Sequence, residues 1–186
     1  MQGNDEERSF EKNSKIRDLV YSINFVRPLP QNLFSTIFMT NSLEFKIGNT
    51  NVNLMLDERN NNFVKQIIFT GDEVQKWVEY FLIYLKEKFS LKLEDIVWCY
   101  EVYLELESDY NNKKINLNIP SVLPLIGNVT NYGIIITNDQ DFKMISRNFT
   151  TVQIDKRIRL IKRSQDYINI SSLLRDLQDL LDKLKI

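Results

Sequence analysis

Residues 97–107 alternate between apolar and polar side chains more regularly than any other stretch of this 186-residue chain. One side of the alternation is apolar and the other largely acidic: Trp98, Tyr100, Val102, Leu104 and Leu106 against Cys99, Glu101, Tyr103, Glu105 and Glu107. Successive side chains of a strand point to opposite faces of a sheet. The pattern therefore predicts a long β-strand with one face in the core and an acidic face in water.

Shorter alternating stretches predict further strands on both sides of this one. They cover residues 19–26, a meander over 43–69, and then 115–119, 132–137, 142–145, 149–154 and 157–162. Turn-forming residues separate them, among them Gly48–Asn49 and the run Asn60–Asn62. Strands that are short, sequential and linked by turns favour an antiparallel sheet.

Two amphipathic helices complete the prediction. Apolar residues spaced three and four apart indicate a helix over 72–89, where Thr70 and Glu73 have the spacing of a capping box. A second helix begins near residue 171, with Asn169 or Ser171 as its cap. A short helix over 33–39 is also indicated. The expected fold is α+β, a mainly antiparallel sheet with the two main helices packed on one face.

The polar residues 1–14 are expected to form a disordered tail, and residues 15–186 a single domain. Both halves of the chain end near a helix, which hints at a duplicated β-then-α plan, although no residues align to support a repeat.

The chain has no histidine, which excludes Ser-His-Asp triads, Cys-His dyads and histidine-bound metals. Its single cysteine, Cys99, cannot form an internal disulfide, and its expected place beside carboxylates predicts an unreactive thiol. The few glycines lie too far apart for a phosphate-binding loop. We therefore expect a non-enzymatic protein without catalytic residues, cofactor or metal.

Two predicted strands carry opposite charge. Glu101, Glu105 and Glu107 share one face, and Arg157, Arg159 and Arg163 share another, so cross-strand ion pairs are the simplest interpretation. Alternatively, a basic segment binds nucleic acid, with Phe142, Phe149 and Tyr167 available for stacking. Its residues are Lys143, Arg147, Lys156, Arg157, Arg159, Lys162 and Arg163. A metal site at the three glutamates is a third alternative, although their spacing along the strand is too wide for one ion.

The last helix carries leucines at the spacing of an oligomer seam: Leu173, Leu177, Leu180 and Leu184. Leu174 and Leu181 widen this stripe, which favours packing on the chain's own sheet instead. Both interpretations remain open at the level of sequence.

These observations predict a protein-interaction module, an accessory or regulatory subunit that forms a homodimer or binds another protein. A nucleic-acid-binding protein is the alternative, although the net charge of −1 gives no global attraction to phosphates. No apolar run is long enough to span a membrane, and the expected compartment is the cytoplasm. Abundant Asn, Ile and Lys without alanine suggest an AT-rich genome, that of a virus, a mobile element or a prokaryote, and a viral protein would lie in the host cytoplasm.

Overall fold

The computed structural model describes residues 16–107, 134–137, 147–154 and 157–183. Within them lie eight strands: β1 (Ile16–Pro30), β2 (Glu44–Ile47), β3 (Thr50–Asp57), β4 (Asn60–Gly71), β5 (Val97–Glu107), β6 (Ile134–Thr137), β7 (Phe149–Ile154) and β8 (Arg157–Ser164). The helices of this part are α1 (Gln31–Phe38), α2 (Val74–Lys88), α3 (Leu93–Ile96) and α4 (Ile170–Lys183).

The described strands form one antiparallel sheet in the order β2-β3-β4-β1-β5-β8-β7-β6. The order has the same plan on both sides of the central β1–β5 pair. β1 is followed outwards by β4, β3 and β2, while β5 is followed by β8, β7 and β6. Each half closes with a helix, α2 or α4. The predicted α+β class is confirmed, and the topology repeats although the sequence does not.

The core lies between the sheet and the helices. Phe81 of α2 is fully buried and contacts Phe25 of β1, Phe69 of β4, and Phe34 and Phe38 of α1. In the second half, α4 contributes Ile170, Leu173, Leu177 and Leu181 to the same cluster. Burial of these large apolar side chains is the main force that holds both helices on the sheet.

Of the side-chain caps predicted for the two main helices, the one on α4 is confirmed and the one on α2 is not. The side chain of Asn169 accepts a hydrogen bond from the Ser172 amide at 2.9 Å, which confirms Asn169 as the cap of α4. The capping box predicted for α2 is wrong, since its N-cap residue is Glu73 and no side chain caps the helix. Glu73 instead bonds Lys76 at 2.8 Å. The predicted strands at 115–119 and 142–145 and the tail at 1–14 lie outside the described residues.

Two bulges on the β1–β5 pair reorient single side chains. Asn24 pairs with Cys99 and Phe25 with Val97, so Trp98 is an extra residue of β5. The strict alternation predicts Trp98 on the core face with Tyr100, and this prediction is wrong. Trp98 instead contacts Arg147 and Arg163 of the opposite face. A second register shift between Ile16 and Asp18 makes Arg17 the extra residue of β1.

Candidate functional site

Cross-strand ion pairs hold the acidic strand β5 to the basic strand β8. Glu105 accepts bonds from Arg157 Nη1 at 2.8 Å and from Arg159 Nε at 3.3 Å. The bulged Arg17 places its Nε 3.6 Å from the same carboxylate. Tyr103 Oη also donates to Glu105, at 2.9 Å. One carboxylate thus interacts with three guanidinium groups and a phenol.

Glu105 lies on the strand face that was predicted to be exposed to water, yet only 5% of its surface is exposed. The Tyr103 hydroxyl and the arginines favour the charged carboxylate and hold the pKa of Glu105 below its usual range. A buried carboxylate needs such partners to stay ionised.

A second pair lies further along the same two strands. Arg163 Nε donates to Glu101 Oε2 at 2.6 Å, as the strand register requires. The Arg163 guanidinium also lies over Trp98 and Phe149, 5.6 and 5.0 Å from the ring centroids, while Arg147 lies 5.7 Å from Trp98. This guanidinium is held by a carboxylate and two aromatic rings together.

Most of the described residues of the predicted nucleic-acid-binding segment lie on one face of the sheet, where Arg147 and Arg163 both lie over the Trp98 ring. Arg157, Arg159 and Arg163 share a face of β8 and contact carboxylates of β5. Lys162 pairs in register with Val102, on the opposite face of the sheet. Lys143 and Lys156 lie outside the described residues.

The three glutamates of β5 do not share one environment. Glu105 and Glu101 are bound by arginines, and Glu107 is exposed at the strand end. Within the described ranges, no group of three or more acidic or cysteine side chains is arranged to hold a metal ion.

Cys99 lies on the face opposite Tyr100, but its predicted exposure to water is wrong. It is fully buried, and Asn24 Nδ2 lies 3.6 Å from its sulfur. Burial raises the pKa of the Cys99 thiol to about 11, while Arg163 opposes the shift. The low reactivity that we predict for this thiol therefore rests on desolvation first and on the neighbouring Glu101 carboxylate only second.

The leucines considered for an oligomer seam lie largely in the core. Leu173 and Leu177 are 3% and 2% exposed and pack against the sheet of their own chain. Leu180 is half-buried, and Leu184 lies outside the described residues. Leu173 and Leu177 are therefore not on the surface of this chain.

Within the described helices, the exposed large apolar side chains, Tyr80 and Ile83, both lie on α2. Trp77, Tyr80, Tyr84 and Phe89 form a chain of ring contacts with centroids 5.7 to 5.9 Å apart. Tyr80 is 41% exposed and its neighbour Ile83 is 54% exposed. We call Trp77, Tyr80, Ile83, Tyr84 and Phe89 the α2 aromatic strip.

The apolar spacing of this helix also assigns Trp77 and Phe89 to its core stripe, and both are indeed partly buried and packed against the core. The sequence pattern did not single out the exposed part of the strip, Tyr80 and Ile83. The signal was present, since Trp77, Tyr80 and Tyr84 follow the i, i+3, i+7 spacing of one helix face. That face adjoins the buried stripe formed by Val78 and Phe81. Periodicity reveals a shared face but not whether a neighbour covers it.

The strip begins beside the β2–β3 turn. A Cβ atom placed on Gly48 of this turn would lie 3.8 Å from Trp77 Nε1. The Lys76 ammonium lies 5.1 Å from the Trp77 ring centroid, at the same end. From there the strip runs along α2 to Phe89, the residue that follows the helix.

The other flank of α2 is joined to the segment that leads into α4. Tyr167 Oη donates to Glu79 Oε1 at 2.9 Å, and the Ile170 amide donates to Gln75 Oε1 at 3.0 Å. Burial raises the pKa of Tyr167, and its bond to Glu79 acts in the same direction. Tyr167 also contacts the rings of Tyr21 and Tyr100, so it is a structural residue rather than a free stacking platform.

Comparisons of the chain with protein-family models, with curated proteins and with solved structures find no match. Among the described helices, none has the length and apolar character needed to cross a membrane.

Proposed function

We propose that this protein is a non-enzymatic interaction module, an accessory or regulatory subunit, and that it binds a protein partner through the α2 aromatic strip. The observation that carries the proposal is the exposure of Tyr80 and Ile83 within a continuous row of aromatic rings.

Tyrosine and tryptophan are enriched at protein interfaces, because they bury a large area with few rotatable bonds and keep a polar atom for the partner. Isolated exposed apolar residues are ordinary, but contiguous ones on a rigid helix mark contact surfaces. The strip is also preorganised, since α2 is fixed on the sheet by Val74, Val78 and Leu85, all fully buried. A rigid surface loses little conformational entropy on binding.

The ion pairs of β5 and β8 speak against nucleic acid as the partner. The carboxylates of Glu105 and Glu101 occupy positions on the guanidinium groups that a phosphate would have to take. A phosphate would also meet the repulsion of these carboxylates. The nucleic-acid alternative therefore requires breaking contacts that the folded chain already makes.

The experiment compares Ile83→Glu with Met55→Glu. Both replace an exposed apolar side chain by a charge, at 54% and 38% exposure, but Met55 lies on β3 outside the strip. Proteins captured from the source cell by the wild type are identified and purified, and their affinities are measured by calorimetry. We expect Ile83→Glu to weaken binding by roughly tenfold or more and Met55→Glu to leave it unchanged.

A parallel titration with a fluorescent oligonucleotide at low and high salt tests the alternative. Salt-dependent binding that is lost in Arg157→Glu/Arg159→Glu would overturn the proposal in favour of nucleic acid. Equal affinity of the wild type and Ile83→Glu for every reconstituted partner would remove the strip from the proposal.

A further inference from the structure

The strand β2 is an edge of the sheet in the described part of the chain. It has four residues, and only β3 is hydrogen-bonded to it there. Edge strands present unpaired backbone groups that can pair with another chain.

The register of the hairpin shows which backbone groups face outwards. The Leu54 amide donates to the Leu43 carbonyl at 2.8 Å, so this opposed pair is hydrogen-bonded. Hydrogen-bonded pairs alternate with non-hydrogen-bonded pairs along an antiparallel ladder. The backbone groups of Phe45 and Ile47 therefore also bond to β3, opposite Val52 and Thr50. The amide and carbonyl groups of Glu44 and Lys46 consequently point away from the sheet.

We propose that two copies of this chain pair antiparallel through the outer edges of their β2 strands, with Phe45 opposite Phe45 and Glu44 opposite Lys46 of the second copy. This register places each outward-facing residue against another outward-facing residue. It forms two hydrogen-bonded pairs about a two-fold axis at Phe45.

Charge supports this register over its neighbours. Glu44 and Lys46 are both exposed, and directly opposed residues of a hydrogen-bonded pair have Cα atoms about 5.5 Å apart, close enough for an ion pair. Two Glu–Lys pairs thus form across the axis. Register with Glu44 opposite Glu44 would juxtapose like charges, so the same side chains that discourage random edge pairing select this one.

The apolar side of the edge fits the same arrangement. Phe45 is half-buried and packs on Phe38, with ring centroids 5.1 Å apart. At the axis it would occupy the non-hydrogen-bonded site, where side chains of opposed strands lie closest. Met39, which follows α1 and is 93% exposed, lies next to Phe38 in the chain and supplies apolar surface near the edge.

A pairing of three residues of β2 on each copy, Glu44, Phe45 and Lys46, is short, so the dimer should depend on concentration. Sedimentation velocity of the full chain across a wide concentration range measures this directly. We expect Lys46→Glu to raise the dimer dissociation constant by roughly tenfold, because each pair becomes repulsive. The double variant Glu44→Lys/Lys46→Glu reverses both charges and should restore the wild-type constant.

Lys46→Pro provides a second, independent variant. It removes an outward-facing amide without touching the β3 ladder, a position where an edge strand tolerates proline. Dimerisation should be lost while the circular dichroism spectrum is kept.

A wild type that is monomeric at every concentration would overturn the inference, as would a double variant no more dimeric than Lys46→Glu. A dimer abolished by Ile83→Glu but not by Lys46→Glu would move self-association to the α2 aromatic strip. The edge and the strip are changed by different variants, so either proposal can fail alone.

Discussion

Glu105 is the residue at which charge, burial and register come together. Its carboxylate is nearly enclosed, yet four donor side chains surround it: Arg17, Tyr103, Arg157 and Arg159. The arginines keep part of their surface in water, which limits the strength of each ion pair. Each ion pair is therefore weak by itself, whereas removal of the shared carboxylate would leave several donors poorly paired at once.

Replacing Glu105 by Gln should destabilise the fold by about 2 kcal/mol near neutral pH, since the buried carboxylate would be lost and its donors left poorly paired. The folded-state pKa of Glu105 is lowered, so its contribution is present above the unfolded pKa of about 4.3 and is lost as pH falls through the folded value. Urea unfolding of both proteins across acidic to neutral pH measures this. A stability difference that does not shrink in acid would contradict the assignment.

Cys99 should react with an aromatic disulfide reagent far more slowly in the folded protein than in urea. Its thiol is buried, and burial raises the thiol pKa to about 11, so little thiolate exists at pH 8. Absorbance of the released thiolate gives the rate. Fast, complete labelling of the native protein would show that the strand opens at Cys99.

At the scale of single elements, the β2–β3–β4 meander depends on two glycines with positive φ. Gly48 has φ +58° at the hairpin turn, and Gly71 has φ +119° at the end of β4. A Cβ on Gly71 would lie 2.3 Å from the Asn49 carbonyl oxygen. One on Gly48 would lie 2.6 Å from the flexible Glu73 side chain and at an ordinary contact distance of 3.8 Å from Trp77 Nε1. Both positions disfavour side chains, but only Gly71 is closed by backbone.

Gly71→Ala is expected to destabilise the protein by about 3 kcal/mol, because it combines an unfavourable φ with a backbone clash. Thermal unfolding followed by circular dichroism measures the loss. Gly48→Asn is the matched control, since asparagine tolerates the left-handed region and Glu73 can move. Equal losses for the two variants would show that backbone strain alone decides the effect.

At the scale of the whole molecule, the β1–β5 pair joins two halves with the same strand plan. Tyr21 of β1 contacts Tyr100 of β5, and its hydroxyl bonds the Ile168 carbonyl ahead of α4 at 3.1 Å. The Glu79–Tyr167 bond crosses between the halves as well. One core cluster includes residues of both halves.

The described halves are therefore expected to unfold in one cooperative step. The chain has two tryptophans, one in each half, so Trp77→Phe and Trp98→Phe leave a single probe in the other half. In each variant, fluorescence and circular dichroism should give the same denaturant midpoint. Separate midpoints would show that the halves are independent units.

The sequence by itself determined the α+β class, the antiparallel meander and the two main helices, because the spacing of apolar residues within each short segment has the period of a strand or of a helix. It also placed Glu105 and Arg159 on two strands of opposite charge. Only the tertiary structure decided which strands are neighbours, since β5 and β8 are far apart in the chain yet paired in the sheet.

The same limit explains the features that the sequence left open or misplaced. The bulge at Trp98, the burial of Cys99 and Leu177, and the exposure of Ile83 each depend on what packs against a side chain. Periodicity assigns a residue to a face, whereas the contacts made across the fold determine whether that face is covered.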